Sequence, residues 1–346
     1  MENKLLVAAS PHVHSGNSTA KLMRGVLIAL LPALCISVVF YGWAALYVTA
    51  VSVISCVVFE WLIQKFLIKG PLTVNNYSAI LTGVLLAFNL PSSVPAWLVI
   101  LGSLFAIGVG KMAYGGLGRN LFNPALVGRV FLLISFPALM TTFPLTDVNS
   151  DISVYNPQPF KTETNFLSAD AVTGATPLTL TRAAVAKGEP VNEVMEDYKI
   201  SDFLFGSRAG SYGEVAALAL LLGFVYMLYK KIITWHIPVY ILLTMFLFSG
   251  VLWLYDPATH LNPIYQIATG GALLGAIFMA TDYVTSPMTK RGVLIYAIGI
   301  GVITILIRTW GGYPEGMSFA ILLMNAATPL LNKLKPKRFG EKKVKK

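Results

Sequence analysis

Ten apolar runs set what this chain can become. They lie at 23–41, 44–64, 77–90, 95–112, 121–140, 213–229, 236–254, 264–284, 292–308 and 317–332. A helix that crosses a bilayer needs about 20 apolar residues, and most of the runs approach that length. Lipid offers no water to a bare backbone, so such runs must close their hydrogen bonds within themselves as helices. The expected fold is an all-α integral membrane protein of about ten transmembrane helices. Only 12% of the 346 residues are charged, against roughly 25% in a soluble domain. That excludes a cytosolic globule and a nucleic-acid-binding chain, which would carry charge throughout. The first run is not expected to be a signal peptide, since no small-residue cleavage site follows it. The run 77–90 is short and ends in Asn89-Leu90-Pro91. It reads as a broken or tilted helix.

The charges orient the spans. The tail Lys333–Lys346 holds eight Lys or Arg and one Glu, a cluster suited to the cytoplasmic face of a membrane. Alternating backwards through ten spans puts the N-terminus inside as well. The inside segments then collect 19 of the 26 basic residues, the outside segments collect six, and Arg129 stays within a span. Nine or eleven spans break this sorting. The loop 141–212 falls outside, carries nine acids and is rich in Pro, Asn and Thr. Its length suggests a small extracytoplasmic subdomain. The division expected is a cytoplasmic segment 1–22, five helices over 23–140, the outside loop 141–212, five helices over 213–332 and a basic cytoplasmic tail 333–346.

The two halves echo each other. Ile80-Leu81-Thr82-Gly83 opens one apolar segment and Ile267-Ala268-Thr269-Gly270 another. Gly115-Gly116 and Gly311-Gly312 each precede the last span of their half. Five spans per half reverse the second copy, which is the inverted-repeat plan of many transporters.

The outside loop contains Asp170-Ala171-Val172-Thr173-Gly174-Ala175-Thr176. Thr176 is suited to cap a helix with Pro177 at its first position and Leu178 to Lys187 as its body. The whole string also matches the flavinylation motif Asp-x-x-Ser/Thr-Gly-Ala-Thr, whose last Thr is esterified to the phosphate of FMN. The two readings are compatible, because free N–H groups and the dipole at a helix N-terminus favour a phosphate.

With that motif in place, the sequence resembles the family of the D subunit of the Rnf ion-translocating electron transport complex. A homologue is the B subunit of the sodium-translocating NADH:quinone reductase. The resemblance spans nearly the whole chain. It rests on Ser10-Pro11-His12, Arg119-Asn120-Leu121-Phe122-Asn123-Pro124-Ala125, Thr173-Gly174-Ala175-Thr176 and Ala280-Thr281-Asp282-Tyr283. The short segment before the first span favours the Rnf type over the reductase type. The resemblance implies covalent FMN on Thr176, non-covalent riboflavin in the membrane part, and a complex shared with the A, B, C, E and G subunits. Such a complex moves electrons between ferredoxin and NAD and couples this to Na⁺ or H⁺ transport in a bacterial cytoplasmic membrane. The competing readings are the quinone reductase protein and a flavin-free small-solute transporter. A tethered flavin argues against the latter.

Other residues carry chemistry or only look as if they do. Gly108 to Asn120 is glycine-rich but lacks Walker and dinucleotide spacing. It reads as a cytoplasmic turn that lets backbone approach a ligand. Asn123 either caps a helix starting at Pro124 or, with Asn120, offers amides to the uracil-like edge of riboflavin. Glu60, Arg129 and Asp282 are ionisable groups at membrane depth, where function is the default reading. Asp282 is the first candidate for an ion path and Glu60 the second, unless Glu60 snorkels beside Lys65. Arg129 calls for a carboxylate or helix-end carbonyls. His12 and His14 lack a third ligand and suggest docking rather than a metal. Trp43, Trp97 and Trp235 suit interfacial anchoring. Cys35 and Cys56 read as small buried hydrophobes.

Overall fold

The computed structural model describes residues 18–69, 72–144, 173–195, 198, 203–204, 210–213 and 217–334. Asp170, His12, His14, most of the 141–212 loop and the tail from 335 lie outside the described residues. The described chain is almost entirely helical. Helices α1 (Thr19–Tyr41), α2 (Trp43–Leu62), α3 (Ser78–Phe88), α4 (Ala96–Gly108) and α5 (Pro124–Ser135) come first. Short α6 (Pro137–Thr141), α7 (Pro177–Lys187) and α8 (Val191–Met195) follow. The second set is α9 (Ala217–Tyr229), α10 (His236–Tyr255), α11 (Pro263–Ala268), α12 (Ala272–Leu274), α13 (Lys290–Trp310) and α14 (Met317–Leu331). A two-residue antiparallel pairing joins Phe143–Pro144 to Thr173–Gly174, bringing the two described flanks of the 145–172 stretch together.

Polar caps start these helices. Ser18 accepts from the Lys21 N–H at the head of α1, and Thr289 from the Gly292 N–H at the head of α13. Asn123, Thr176 and Asn262 cap α5, α7 and α11, each followed by Pro at the first helical position. Proline there loses no helical hydrogen bond and presets φ. Five helical stretches are long and apolar enough to cross a membrane: 19–41, 43–68, 96–114, 236–255 and 290–310. Many large apolar side chains on them face outwards, among them Val39, Ile54, Val251 and Leu254. A belt of that kind needs lipid around it. The chain is a multi-pass membrane protein.

Three apolar runs differ from expectation. The run 77–90, expected as short and broken or tilted, forms the continuous 11-residue α3, a rise of about 16 Å, roughly half of a bilayer's hydrocarbon core. The broken helix lies instead in 264–284. There α11 stops at Ala268, Thr269 is extended, and Gly270 turns left-handed with φ +59°. The chain resumes as α12 and a π-helical turn Gly275–Met279. Asp282 therefore sits in the turn beyond the helix rather than within a span. The run 121–140 divides at Phe136, where α5 ends and α6 begins at Pro137. Cys56 is buried but Cys35 is exposed, because the helical period turns Ala33 and Ser37 inwards and Cys35 away.

Packing brings the two sets of helices together. α2 packs against α3 and α4, and α4 against α5. α10 packs against α11 and α13, and α13 against α14. α1 meets α9, and α5 meets α14, so helices of the first set touch the second on two sides. Residues 210–213 are pinned at one end of the bundle. Ser37 donates to the Tyr212 carbonyl at 2.6 Å, and the Tyr212 hydroxyl meets Thr49 at 3.0 Å.

Candidate functional site

A cavity opens between the two sets of helices. Its walls are mostly apolar: Met23, Val26, Leu81, Leu85, Met227 and Phe278 contribute. Its polar lining comes from Ser78, Thr82, Lys111, Asn120, Asn123, Thr281 and Asp282. The glycine-rich turn supplies one rim, with Gly115, Gly116 and Gly118 all at positive φ and Leu117 and Asn120 facing the space.

The two asparagines differ. The Asn123 carbonyl accepts from the Ala125 N–H at 3.1 Å, which caps α5, and its amide donates to the Met279 carbonyl at 3.1 Å. Asn123 thus ties α5 to the end of the π turn. Asn120 donates to the Phe122 carbonyl at 3.1 Å, but its own carbonyl oxygen is buried without a partner. An orphaned acceptor of this kind is costly, and a bound donor would relieve it.

Behind the cavity lies a buried ion pair. Glu60 near the end of α2 is fully buried and binds the Lys111 ammonium at 2.6 Å. Lys111 also donates to the Ser78 hydroxyl at 2.7 Å. The other carboxylate oxygen of Glu60 accepts from Thr73 at 3.0 Å and Gln64 at 3.3 Å. Glu60 does not snorkel. Lys65, its neighbour in sequence, lies over the Trp61 ring 4.6 Å from its centre. Lys111 is one of the 19 basic residues counted on the inside, and nothing in its neighbours in sequence marks it as buried. Asp282 shares the cavity but is held more loosely, by the Val284 N–H at 3.5 Å and the Thr285 hydroxyl at 3.3 Å.

Arg129 finds a carboxylate. It pairs with Glu315 at the approach to α14, and it donates to Asn89 and, at 2.9 Å, to Ser318. The Asn89 amide donates to the Leu85 carbonyl at 2.6 Å and approaches the Met279 sulfur at 3.7 Å. A polar seam thus runs between the helix sets from Glu315 through Arg129, Asn89 and Met279 to Asn123. Nothing in the sequence marks Asn89 or Glu315 as a partner of Arg129.

Thr176 does not line the cavity. Its hydroxyl is buried, accepts from the Thr179 N–H at 3.3 Å and meets the Thr179 hydroxyl at 2.8 Å. Gly174 and Thr173 form the short pairing before it, and Ala175 joins them to the cap. α7 docks on the broken helix: a Cβ on Gly270 would meet Leu178 at 2.8 Å and Arg308 at 2.9 Å. Arg182 donates to the Gly311 carbonyl. Arg308 takes the carbonyls that the break releases, those of Gln266 and, at 2.9 Å, Thr269.

Residues 6–340 match the NQR2, RnfD, RnfE family. The chain belongs to this family. It is 45% identical over 351 residues to the D subunit of the Na(+)-translocating ferredoxin:NAD(+) oxidoreductase complex of Acetobacterium woodii, covering 100% of this chain and 98% of that protein. It is 39% identical to the D subunit of the proton-translocating ferredoxin:NAD(+) oxidoreductase complex of Clostridium ljungdahlii, covering 99% of this chain and 98% of that protein. It is 38% identical to the D subunit of the ion-translocating oxidoreductase complex of Salmonella typhi, covering 97% of this chain and 99% of that protein.

Proposed function

We propose that this family member is the membrane electron carrier of an Rnf-type complex. The complex would move electrons between ferredoxin and NAD and couple that flow to Na⁺ or H⁺ translocation, with the A, B, C, E and G subunits alongside. Relatives that bear such names along their whole length support the reading. The matching packing of α2, α3, α4 and α5 with that of α10, α11, α13 and α14 supports ten spans as two five-helix inverted repeats. Both termini then face the cytoplasm and Thr176 faces outwards.

The observation that carries the flavin reading is the Thr176 hydroxyl, which closes the motif string at the head of α7. A phosphate esterified there would sit in the positive field of the α7 N-terminus, with the Thr179 N–H already directed at the Thr176 side-chain oxygen. The hydroxyl is buried, so modification calls for α7 to be undocked at that moment. The lining of the inner cavity suits riboflavin: its walls are mostly apolar, and the orphaned Asn120 carbonyl can accept from an imide N–H. Asn123 would hold the wall in place. A flavin supplies the one- and two-electron chemistry that amino-acid side chains lack. Asp282 in the cavity and Glu60 behind it are the groups offered to a moving cation.

The test is the intact mass and in-gel fluorescence of the denatured chain made with a flavin transferase. The expected result is a fluorescent band heavier by one FMN minus one water, abolished in Thr176→Ala. An unmodified wild-type band, with the transferase active on a control substrate, reduces Thr176 to a helix cap.

A further inference from the structure

Lys111 is the one buried cation, among the described residues, that both lines the inner cavity and is locked to a carboxylate outside it. The other ionisable groups facing the space are Asp282 and Tyr283. An ammonium 1% exposed, beside a fully buried carboxylate, forms a short dipole in a medium that screens poorly. Its positive end is the end at the cavity. The Ser78 hydroxyl, at the head of α3, fixes the ammonium on that side.

We propose that Lys111 is a positioning residue for the redox chemistry of this cavity: the Lys111–Glu60 dipole sets how readily a flavin held there accepts electrons. The proposal rests on the flavin reading of the cavity. Taking up two electrons and one proton leaves the ring with one more negative charge than it had oxidised. A fixed positive charge nearby favours that state, and a fixed negative charge opposes it. Glu60 therefore moderates Lys111, and the two residues act in opposite directions. The pair gives the protein a graded control of potential without any contact from Glu60 to the cavity.

The experiment is a dithionite titration of the purified whole complex, followed by the visible absorbance of its flavins, in wild type and four variants. Glu60→Gln frees the ammonium and is expected to favour the reduced ring at least tenfold, an upward shift of about 30 mV for a two-electron couple. Lys111→Met is expected to shift the equilibrium as far the other way. Lys111→Arg keeps the charge and stays near wild type. The neutral pair Lys111→Met with Glu60→Gln falls between the single variants. It also serves if Lys111→Met fails to assemble. A purely structural role would move the potentials of Glu60→Gln and Lys111→Met in the same direction or not at all, and either result overturns the proposal. Acid-released flavin is measured in parallel. Wild-type complex that releases no riboflavin defeats the cavity reading itself, whereas riboflavin present with an unmoved potential defeats only the role of Lys111.

Discussion

The two buried ion pairs look alike and do different work. Glu60–Lys111 closes within the first set of helices, and its side chains are 0% and 2% exposed. Arg129–Glu315 stitches the first set to the second, and its side chains are 6% and 13% exposed. Lys111 has two side-chain acceptors, Glu60 and Ser78. Arg129 has Glu315, Asn89 and Ser318. The first pair has nowhere else to put its charge. The second is wetter and its arginine stays solvated by neutral groups if the carboxylate leaves. A buried charge left alone, rather than the pair as such, is what costs stability.

That difference can be broken or sharpened by substitution. Lys111→Ala strands Glu60 and should destabilise by about 3–5 kcal/mol, read as a fall in the apparent unfolding temperature of the solubilised protein. Adding Glu60→Gln should restore most of it. Glu315→Ala should cost less, about 1–3 kcal/mol, since Asn89 and Ser318 still receive Arg129. Equal losses for the two variants would erase the contrast between the pairs. Ser78→Ala removes one acceptor from Lys111 and keeps its carboxylate, so about 1 kcal/mol is expected in the same unfolding assay.

The smallest effect belongs to a carboxylate on the surface. Asp256 follows α10 and is held below the usual carboxylate range, first by the Thr259 hydroxyl and then by the Ala258 N–H. A depressed folded-state pKa stabilises above the unfolded value and loses that stability as pH falls through the folded one. Asp256→Asn should therefore flatten a slight fall in stability below the ordinary carboxylate range, lowering stability slightly at neutral pH and leaving it unchanged in acid, where wild type has already lost the contribution. Unfolding curves across acid pH read this directly. A neutral-pH loss comparable to Lys111→Ala would mean that this loop is part of the core.

The two Thr-Gly pairs show how far the sequence reaches. Thr82-Gly83 and Thr269-Gly270 occupy matching places in the echo between halves, and both threonines donate to the carbonyl four residues back. Gly83 keeps α3 straight and lets it press on α2, where a Cβ would meet the Val53 Cα at 2.7 Å. Gly270 breaks its helix. The dipeptide is legible in the sequence at both places, but which copy breaks its helix is not. What decides is whether something takes the released carbonyls. Arg308 takes those at Gly270, and it stands near the end of α13, far along the chain.

Composition and periodicity by themselves determined the membrane class and the caps at Asn123 and Thr176. These depend on neighbours within a few residues and on the exclusion of water from lipid. The partners of the charges were decided only by the tertiary structure. Lys111 joined Glu60 rather than solvent, and Arg129 joined Glu315 across 186 residues. Which side of a helix faces lipid, and which charge meets which, depends on the packing of distant elements, and no local window contains that information.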